Sequence, residues 1–522
     1  MVRRPPSRPY TAPSSAAAGP FGDPFRLFSR GGDGIPRFFI NSSNIQIMHD
    51  PAQFYDDLKR RILTARCQVV LATLYIGSKE QDLIDTLATA LSTTPSLTVH
   101  VLVDFLRGTR KDTQGHSTAS LLAPLVKRFG PERVRVSLYH TPELSGVKKL
   151  VTPPRWNEGL GIQHIKAYVF DSDVVISGAN LSTDYFTNRQ DRYMAFLGHT
   201  ELSEYFKDLV SSVSRFSYQL NVDSNGGDSS SAGEGKDVGT AVSNGLDSSH
   251  SFAFRLPAEI PPPYTEPRKF RAKAHLIITE FLDRWARRGV SNVIQARHPT
   301  EDTLVMPTVQ MAPIGIRQDQ AHTTLLFNVV NHHFPTRSKT IITSAYFNFA
   351  SLYKHAILSA PLAADAADSN RFEILIAAPE ANGFYKSKGM SRHIPDAYTL
   401  FELEFLNAVA ERGREGVVQL REWRRSGWTY HGKGFWYYLS GAKYPSMTII
   451  GSPNYGHRSI YRDLEAQLTV VTASPEFGWH LHKEAENLRA YTTAVTKETL
   501  ANNPSRQVPP WIPLIKPLIE SK

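Results

Sequence analysis

The stretch HIKAYVFDSDVVISGAN, residues 164–180, decides the fold. Apolar residues crowd both sides of Asp171-Ser172-Asp173, so it reads as two short strands joined by a tight turn. In an extended strand residues i and i+2 share a face, which sets His164 beside Lys166. A second copy begins at His431, Gly432 and Lys433 and continues to Gly451, Ser452 and Asn454.

Agreement between the copies extends outward. Tyr75 precedes His164 by 89 residues, and Tyr346 precedes His431 by 85. Asp191 falls 11 residues after Asn180, and Glu465 falls 11 after Asn454. Upstream, Asp50 and Pro51 open a helix carrying Phe54, Leu58, Ile62 and Leu63, followed by a buried strand from Val69 to Ile76. Leu325, Leu326, Val329 and Val330 and the strand Thr340 to Phe347 repeat that order. Each copy ends in a helix, announced by Thr200 and Glu201 and by Ser474, Pro475 and Glu476. Strands at 97–104, 134–139, 372–377 and 417–420 alternate with helical stretches.

This pattern predicts an α/β fold of two duplicated halves, each a mainly parallel central sheet flanked by helices, with a site between them on a pseudo-two-fold axis. The boundaries expected are a tail or transit peptide at 1–35, the first half at 36–221, a linker at 222–252, the second half at 253–495 and a C-terminal tail at 496–522. The linker is rich in glycine and serine and cannot bury enough apolar surface to offset the entropy of ordering.

Composition narrows the chemistry. The chain has 522 residues, 41% hydrophobic and 21% charged, enough to build a large core. Its one cysteine, Cys67, excludes an internal disulfide framework and a cysteine zinc cluster. No run of 18 apolar residues marks a transmembrane helix, so any membrane contact would be peripheral. Lysine and arginine number 59 against 49 acids, and the net charge of +10 attracts phosphate-bearing partners. Arg3, Arg4 and Arg8 with no acid before Asp23 suit a transit peptide, while prolines 5, 6, 9 and 13 suit a disordered tail. Near the C-terminus, Trp511, Ile512, Leu514, Ile515 and Lys516 suit either lipid contact or burial against the core.

Two His-x-Lys strands brought together would surround one cavity with two imidazoles and two ammonium groups. Such a set suits substitution at a phosphodiester: one imidazole attacks phosphorus and the other protonates the leaving oxygen. Lys166, Lys433, Asn180 and Asn454 would stabilise charge on the non-bridging oxygens, and Asp191 and Glu465 would fix the imidazole tautomers. Neither metal nor cofactor is called for. A single histidine on a strand is ordinarily structural; two in matched contexts favour an active site. Asp171 fits catalytic support and turn formation equally, and Gly178 and Gly451 fit turns or close approach.

These residues resemble the HxKxxxxD and GxxN signatures of the phospholipase D superfamily, over roughly residues 45–490. Within it, EGLGIQHIKAYVFD and TYHGKGFWYYL resemble the eukaryotic phosphatidylglycerophosphate synthases. The resemblance implies transfer of a phosphatidyl group from CDP-diacylglycerol to sn-glycerol 3-phosphate through a phosphohistidine. His164, Lys166, Asp171, His431 and Lys433 would be catalytic. It also implies peripheral attachment to the mitochondrial inner membrane. Arg107 and Arg110, beside Lys111 at a strand's carboxyl end, would then hold the glycerol phosphate or form an ordinary basic loop. Arg424 and Arg425 beside Trp423 pose the same choice.

The second copy departs from the signature. Tyr438 stands where its aspartate would be, and His431 to Asn454 spans 23 residues against 16 in the first. The complete first motif makes His164 the expected nucleophile and His431 the acid and base. The alternatives are a lipid hydrolase, a cardiolipin synthase, a nucleic-acid phosphodiesterase, or a silent platform for lipid or protein. Nucleic acid is not the expected partner; a nucleic-acid enzyme would show stacking aromatics along a basic groove and salt-sensitive polynucleotide binding.

Overall fold

A computed structural model describes residues 34–145, 157–222, 252–291, 300–332, 337–362, 371–385 and 392–514, with Phe25, Phe28, His298, Ser387 and Lys516. The glycine- and serine-rich linker at 223–251 and the transit-peptide reading of the residues before 25 lie outside the described residues.

Local chemistry starts the elements where the sequence indicates. The Asp50 carboxylate accepts from the Gln53 amide at 2.9 Å and caps the helix Pro51–Thr64. Ser474 caps Pro475–Arg489 in the same way, at 3.2 Å from the Phe477 amide. The duplication is visible in strand order. In the first sheet Val134–Tyr139, Thr98–Asp104, Gln68–Ala72, Ala167–Phe170, Asp173–Ser177 and Tyr193–Phe196 are neighbours in that sequence. In the second sheet Val418–Trp423, Arg371–Ala377, Lys339–Ser344, Lys433–Tyr438, Met447–Gly451 and Leu464–Thr472 repeat it.

The sheets are mixed, which corrects the expectation that each is mainly parallel. Only three consecutive strands in each run parallel, Gln68–Ala72 to Val134–Tyr139 and Lys339–Ser344 to Val418–Trp423. The histidine strands form antiparallel hairpins, because the link between Phe170 and Asp173 is far too short for the crossover that parallel strands require.

Two edge strands cross the expected boundaries. Phe38–Ile40 pairs with Thr303–Met311 in the second sheet, and Phe252–Arg255 pairs with Tyr218–Val222 in the first. Each gives an edge strand a hydrogen-bonding partner. The core also reaches behind residue 36. Phe25 and Phe28 are buried, Phe28 edge-on to Tyr437 with ring centroids 5.7 Å apart.

The C-terminal segment belongs to the core rather than to a tail. Arg506 is buried in ion pairs with Glu402 and Glu422, and Ile512 is fully buried. The helix Pro267–Ser291 had no sequence expectation and binds the first half. Trp285 donates to Asp208 at 2.8 Å, and Phe281 meets Tyr205 at 5.1 Å. No helix among the described residues is long and apolar enough to cross a membrane.

Candidate active site

Both histidines enter their hairpins from segments bonded to the opposite half. The His164 amide donates to the Leu464 carbonyl at 2.8 Å, and the Leu464 amide donates to the Ile162 carbonyl at 2.9 Å. Reciprocally, the His431 amide donates to the Gln190 carbonyl at 2.7 Å, where Thr429–Tyr430 pairs in parallel with Arg189–Gln190. Each imidazole thereby meets the other half's acid. His164 Nδ1 lies 2.9 Å from Glu465 Oε2, and His431 Nδ1 lies 2.6 Å from Asp191 Oδ2. At His164 the carboxylate selects the tautomer with its proton on Nδ1 and leaves the Nε2 lone pair for chemistry, whereas His431 Nδ1 lies between Asp191 and Lys433 Nζ, the latter 2.8 Å away.

The lysines share this crossed frame. Lys166 Nζ donates to the His164 carbonyl at 2.8 Å, and Lys433 Nζ donates to the His431 carbonyl at 2.6 Å. Lys433 Nζ is also 3.8 Å from Asp191. Gly178 allows this closeness: a Cβ there would stand 2.7 Å from an Asp191 oxygen and 2.8 Å from Lys433 Nζ. The glycine is a close-approach residue as well as the end of a hairpin.

His164, His431, Asn180 and Asn454 line one cavity of about 680 Å³, with Arg107 and Arg110 on its first-half wall. Asn180 Nδ2 donates to the Tyr185 hydroxyl at 3.1 Å, and that hydroxyl is 3.3 Å from His431 Nε2. Among the described residues, the side-chain oxygens of Asn180 and Asn454 are buried without a hydrogen-bond partner. Such orphans are costly and mark places where a ligand completes the bonding.

Burial governs the charges. It drives both imidazoles well below their ordinary range, reinforced at His164 by Lys166 and at His431 by Lys433. It pulls Lys433 down to about 8 and pushes Asp191 up to about 6 and Glu465 up to about 7. Nearby ammonium groups oppose the rise at both acids. Burial here thus disfavours charge, and a phosphate anion would draw the protons back.

Asp171, expected among the catalytic residues, stands at the far end of the hairpin. Its carboxylate accepts from the amides of Arg66, Cys67 and Gln68 at 2.7, 2.8 and 2.8 Å, and its φ is 52°. Burial pushes this carboxyl up, but the three amides outweigh it and hold it below the usual range. The residue ties a turn to a neighbouring strand. In the second half Tyr438 pairs in register with Lys339, and its hydroxyl meets His482 at 3.1 Å. Lys433 needs no aspartate there, since Asp191 lies beside it.

Arg424 and Arg425 do not line the cavity. Arg424 pairs with Glu380 at 3.3 Å, and Arg425 lies 3.7 Å over the Trp428 ring. The cavity wall instead includes Tyr185, Arg189, Arg458 and Asp463, none of which the sequence reading singled out. His164, Asp463 and Glu465 place ligand atoms within 4.8 Å of one another and could hold a cation. Their negative charge is already met by Arg458, 2.7 Å from Asp463, and by Lys166.

A Cricetulus griseus protein named "CDP-diacylglycerol–glycerol-3-phosphate 3-phosphatidyltransferase, mitochondrial" is 38% identical over 495 residues, covering 93% of this chain and 85% of its own. The Homo sapiens protein of that name is 37% identical over 498 residues, covering 93% and 84%. A Saccharomyces pastorianus CDP-diacylglycerol–glycerol-3-phosphate 3-phosphatidyltransferase is 35% identical over 490 residues, covering 90% and 86%. The chain belongs to this phosphatidyltransferase family.

No family model matches the chain. Among solved structures, phosphatidylserine synthase of Haemophilus influenzae shares the fold, with a TM-score of 0.64 at 18% identity, covering 94% of this chain and 96% of its own. The chain's two-sheet framework, with the crossed pairs where its halves meet, is thus a fold shared with that synthase.

Proposed function

We propose that this chain is the CDP-diacylglycerol–glycerol-3-phosphate 3-phosphatidyltransferase of its family, forming phosphatidylglycerophosphate and CMP. The observation that carries the mechanism is the pair of crossed imidazole–carboxylate contacts on one cavity. His164 Nε2 attacks the phosphatidyl phosphorus, the phosphorus–oxygen bond to CMP breaks, and His431 gives its Nε2 proton to the leaving oxygen. The arriving diphosphate favours protonated His431, because its negative charge opposes the burial that keeps the ring neutral. A primary hydroxyl of glycerol 3-phosphate then loses its proton to His431 and attacks phosphorus, and the bond to His164 breaks.

His164 Nε2, with no hydrogen-bond partner among the described residues, suits attack, while His431 Nε2 is held at the Tyr185 hydroxyl, suited to proton transfer. Asn180 and Asn454 line the cavity and face the phosphate oxygens in this reading; Lys166 and Lys433, buried behind the histidines and not on the cavity wall, supply positive charge from there, and Glu465 and Asp191 hold the rings. Arg107, which lies 4.3 Å over the Tyr75 ring, and Arg110 line both this cavity and an adjoining pocket of about 370 Å³. They are proposed to take the acceptor's phosphate.

The compartment proposed is the mitochondrion, following the vertebrate relatives named as mitochondrial enzymes, with peripheral attachment to the inner membrane. Phe384 and Ile394 line the cavity, and close to them in sequence or space lie exposed Tyr385, Trp511 and Leu514. These apolar groups suit an edge that dips into lipid to receive CDP-diacylglycerol.

The test is purified protein on vesicles containing CDP-diacylglycerol. CMP beyond one equivalent of enzyme is expected only when glycerol 3-phosphate is present, with phosphatidylglycerophosphate identified by mass. Sustained CMP release without an acceptor would mark a hydrolase instead. Loss of vesicle flotation on joint Trp511→Ser and Leu514→Ser substitution checks the membrane edge, and unchanged flotation rules it out.

A further inference from the structure

The duplication carries one feature that is not repeated but inverted. Counting from Asn180, the fourth and ninth residues onward are Asp184 and Arg189; counting from Asn454, they are Arg458 and Asp463. Both couples form ion pairs, at 3.2 Å in the first half and 2.7 Å in the second, and all four residues line the cavity. The acid and the base have changed places. A pseudo-symmetric pair of halves is thereby given an electrically one-sided site.

Burial sharpens the difference. The Asp184 side chain is 64% exposed at the rim while Arg189 is 15% exposed, so on that side the cation reaches deeper. In the second half Asp463 is 3% exposed and Arg458 is 21% exposed, so there the carboxylate is the inner group. The inner residues sit beside different histidines. Asp463 favours the charged form of His164, whereas Arg189 disfavours it at His431. Asp463 also accepts from the Ile162 amide at 3.1 Å, two residues before His164. Arg189 is held by Thr429 at 3.0 Å, two residues before His431.

We propose that Arg189 is the subsite for the phosphomonoester of the nucleotide, the group that leaves as CMP. The inference rests on the phosphatidyl-transfer reading above and adds the orientation of the donor. In displacement at phosphorus the leaving oxygen departs opposite the attacking atom, so CMP exits on the side away from His164 and toward the proton of His431. Its phosphate, protonated by His431 on the leaving oxygen, departs as a monoanion. A guanidinium presents paired donors to such a group, and the inner Asp463 repels it from the His164 side. Donor bound the other way round would set the nucleotide phosphate against a buried carboxylate. Arg107 and Arg110 remain for the acceptor, so the two phosphates occupy separate subsites.

The experiment is inhibition by CMP, measured alongside the KM for glycerol 3-phosphate in the full chain on CDP-diacylglycerol vesicles. Arg189→Gln is expected to raise the CMP inhibition constant tenfold or more and to leave the acceptor KM within twofold. Arg107→Gln is expected to do the reverse. Asp184→Asn, a change at the exposed rim, releases Arg189 from its ion pair and is expected to tighten CMP inhibition severalfold; it keeps the question answerable if Arg189→Gln does not fold. The proposal is overturned if CMP inhibition ignores both Arg189 and Asp184, or if the acceptor KM rises with Arg189→Gln as much as the inhibition constant does. Wild-type protein that releases no CMP from these vesicles would instead refute the phosphatidyl-transfer reading itself.

Discussion

At Asp171 a residue of catalytic signature serves the backbone. Its three amide contacts and positive φ join the histidine hairpin to the strand Gln68–Ala72, and it does not line the cavity. Asp171→Ala removes those charge-assisted bonds and leaves a residue poorly suited to φ 52°, so a loss of about 2 kcal/mol of stability is expected. Thermal unfolding should register that loss while kcat stays within about threefold of wild type. A collapse of kcat in a folded variant would return Asp171 to the chemistry. Acidity at the site gives a second residue-scale test. Lys433, pulled down to about 8, loses its ammonium above that pH, and Asp191 and Glu465, raised to about 6 and about 7, lose their negative charge below those values. Activity therefore falls on both sides, and kcat/KM is expected to trace a bell with its summit between about pH 7 and 8. A profile rising steadily through pH 9 would show that the lysine charge does not matter.

At the scale of elements, the crossing of acids between halves is what turns two hairpins into one catalyst. Spacing along the chain made Asp191 and Glu465 visible, since both stand 11 residues beyond their asparagines. It could not show that each serves the other copy's histidine, because spacing fixes position along a strand and not which strand lies across the interface. The same limit hid the sheet's character: alternating helices and strands suggest parallel pairing, while the tight Asp171 turn already demanded an antiparallel hairpin. Arg189 and Asp463 escaped notice for another reason. Residue identity marks a duplication only where the copies agree, and these positions repeat with the charge inverted. The crossing predicts different failures for the two acids. Asp191→Asn impairs proton transfer by His431, and Glu465→Gln misorients His164; each is expected to lower kcat by about 10³- to 10⁴-fold through the wrong tautomer. In rapid quench the first equivalent of CMP should be lost with Glu465→Gln and with Asp191→Asn, because both histidines act in the step that releases it. If single-turnover and steady-state kinetics show either variant within tenfold of wild type, the contacts seen at Nδ1 are not functional.

At the scale of the molecule, the two halves are locked rather than loosely joined. Arg192, next to Asp191, reaches across to form a two-pronged pair with Glu484, both bonds 2.8 Å, and lies 3.9 Å over the Trp436 ring. A buried guanidinium so placed fixes the interface, because losing its partner would strand a charge away from water. Phe38–Ile40 and the helix Pro267–Ser291 tie the halves further, each packed on the half to which its sequence position does not assign it. No periodicity in either segment reveals that exchange, which depends on which sheet edge stands open. What the whole arrangement produces is a single cavity with one imidazole whose Nε2 has no hydrogen-bond partner among the described residues and a second held for proton transfer. The most direct measurement is mass analysis of peptides kept at neutral to mildly alkaline pH, where a phosphorus–nitrogen bond survives, after mixing the protein with CDP-diacylglycerol and no acceptor, comparing wild type with His431→Ala and His164→Ala. The account predicts a phosphatidyl group on His164, chased off by glycerol 3-phosphate in wild type and absent from His164→Ala; a group on His431, or rapid turnover with neither histidine modified, would contradict it.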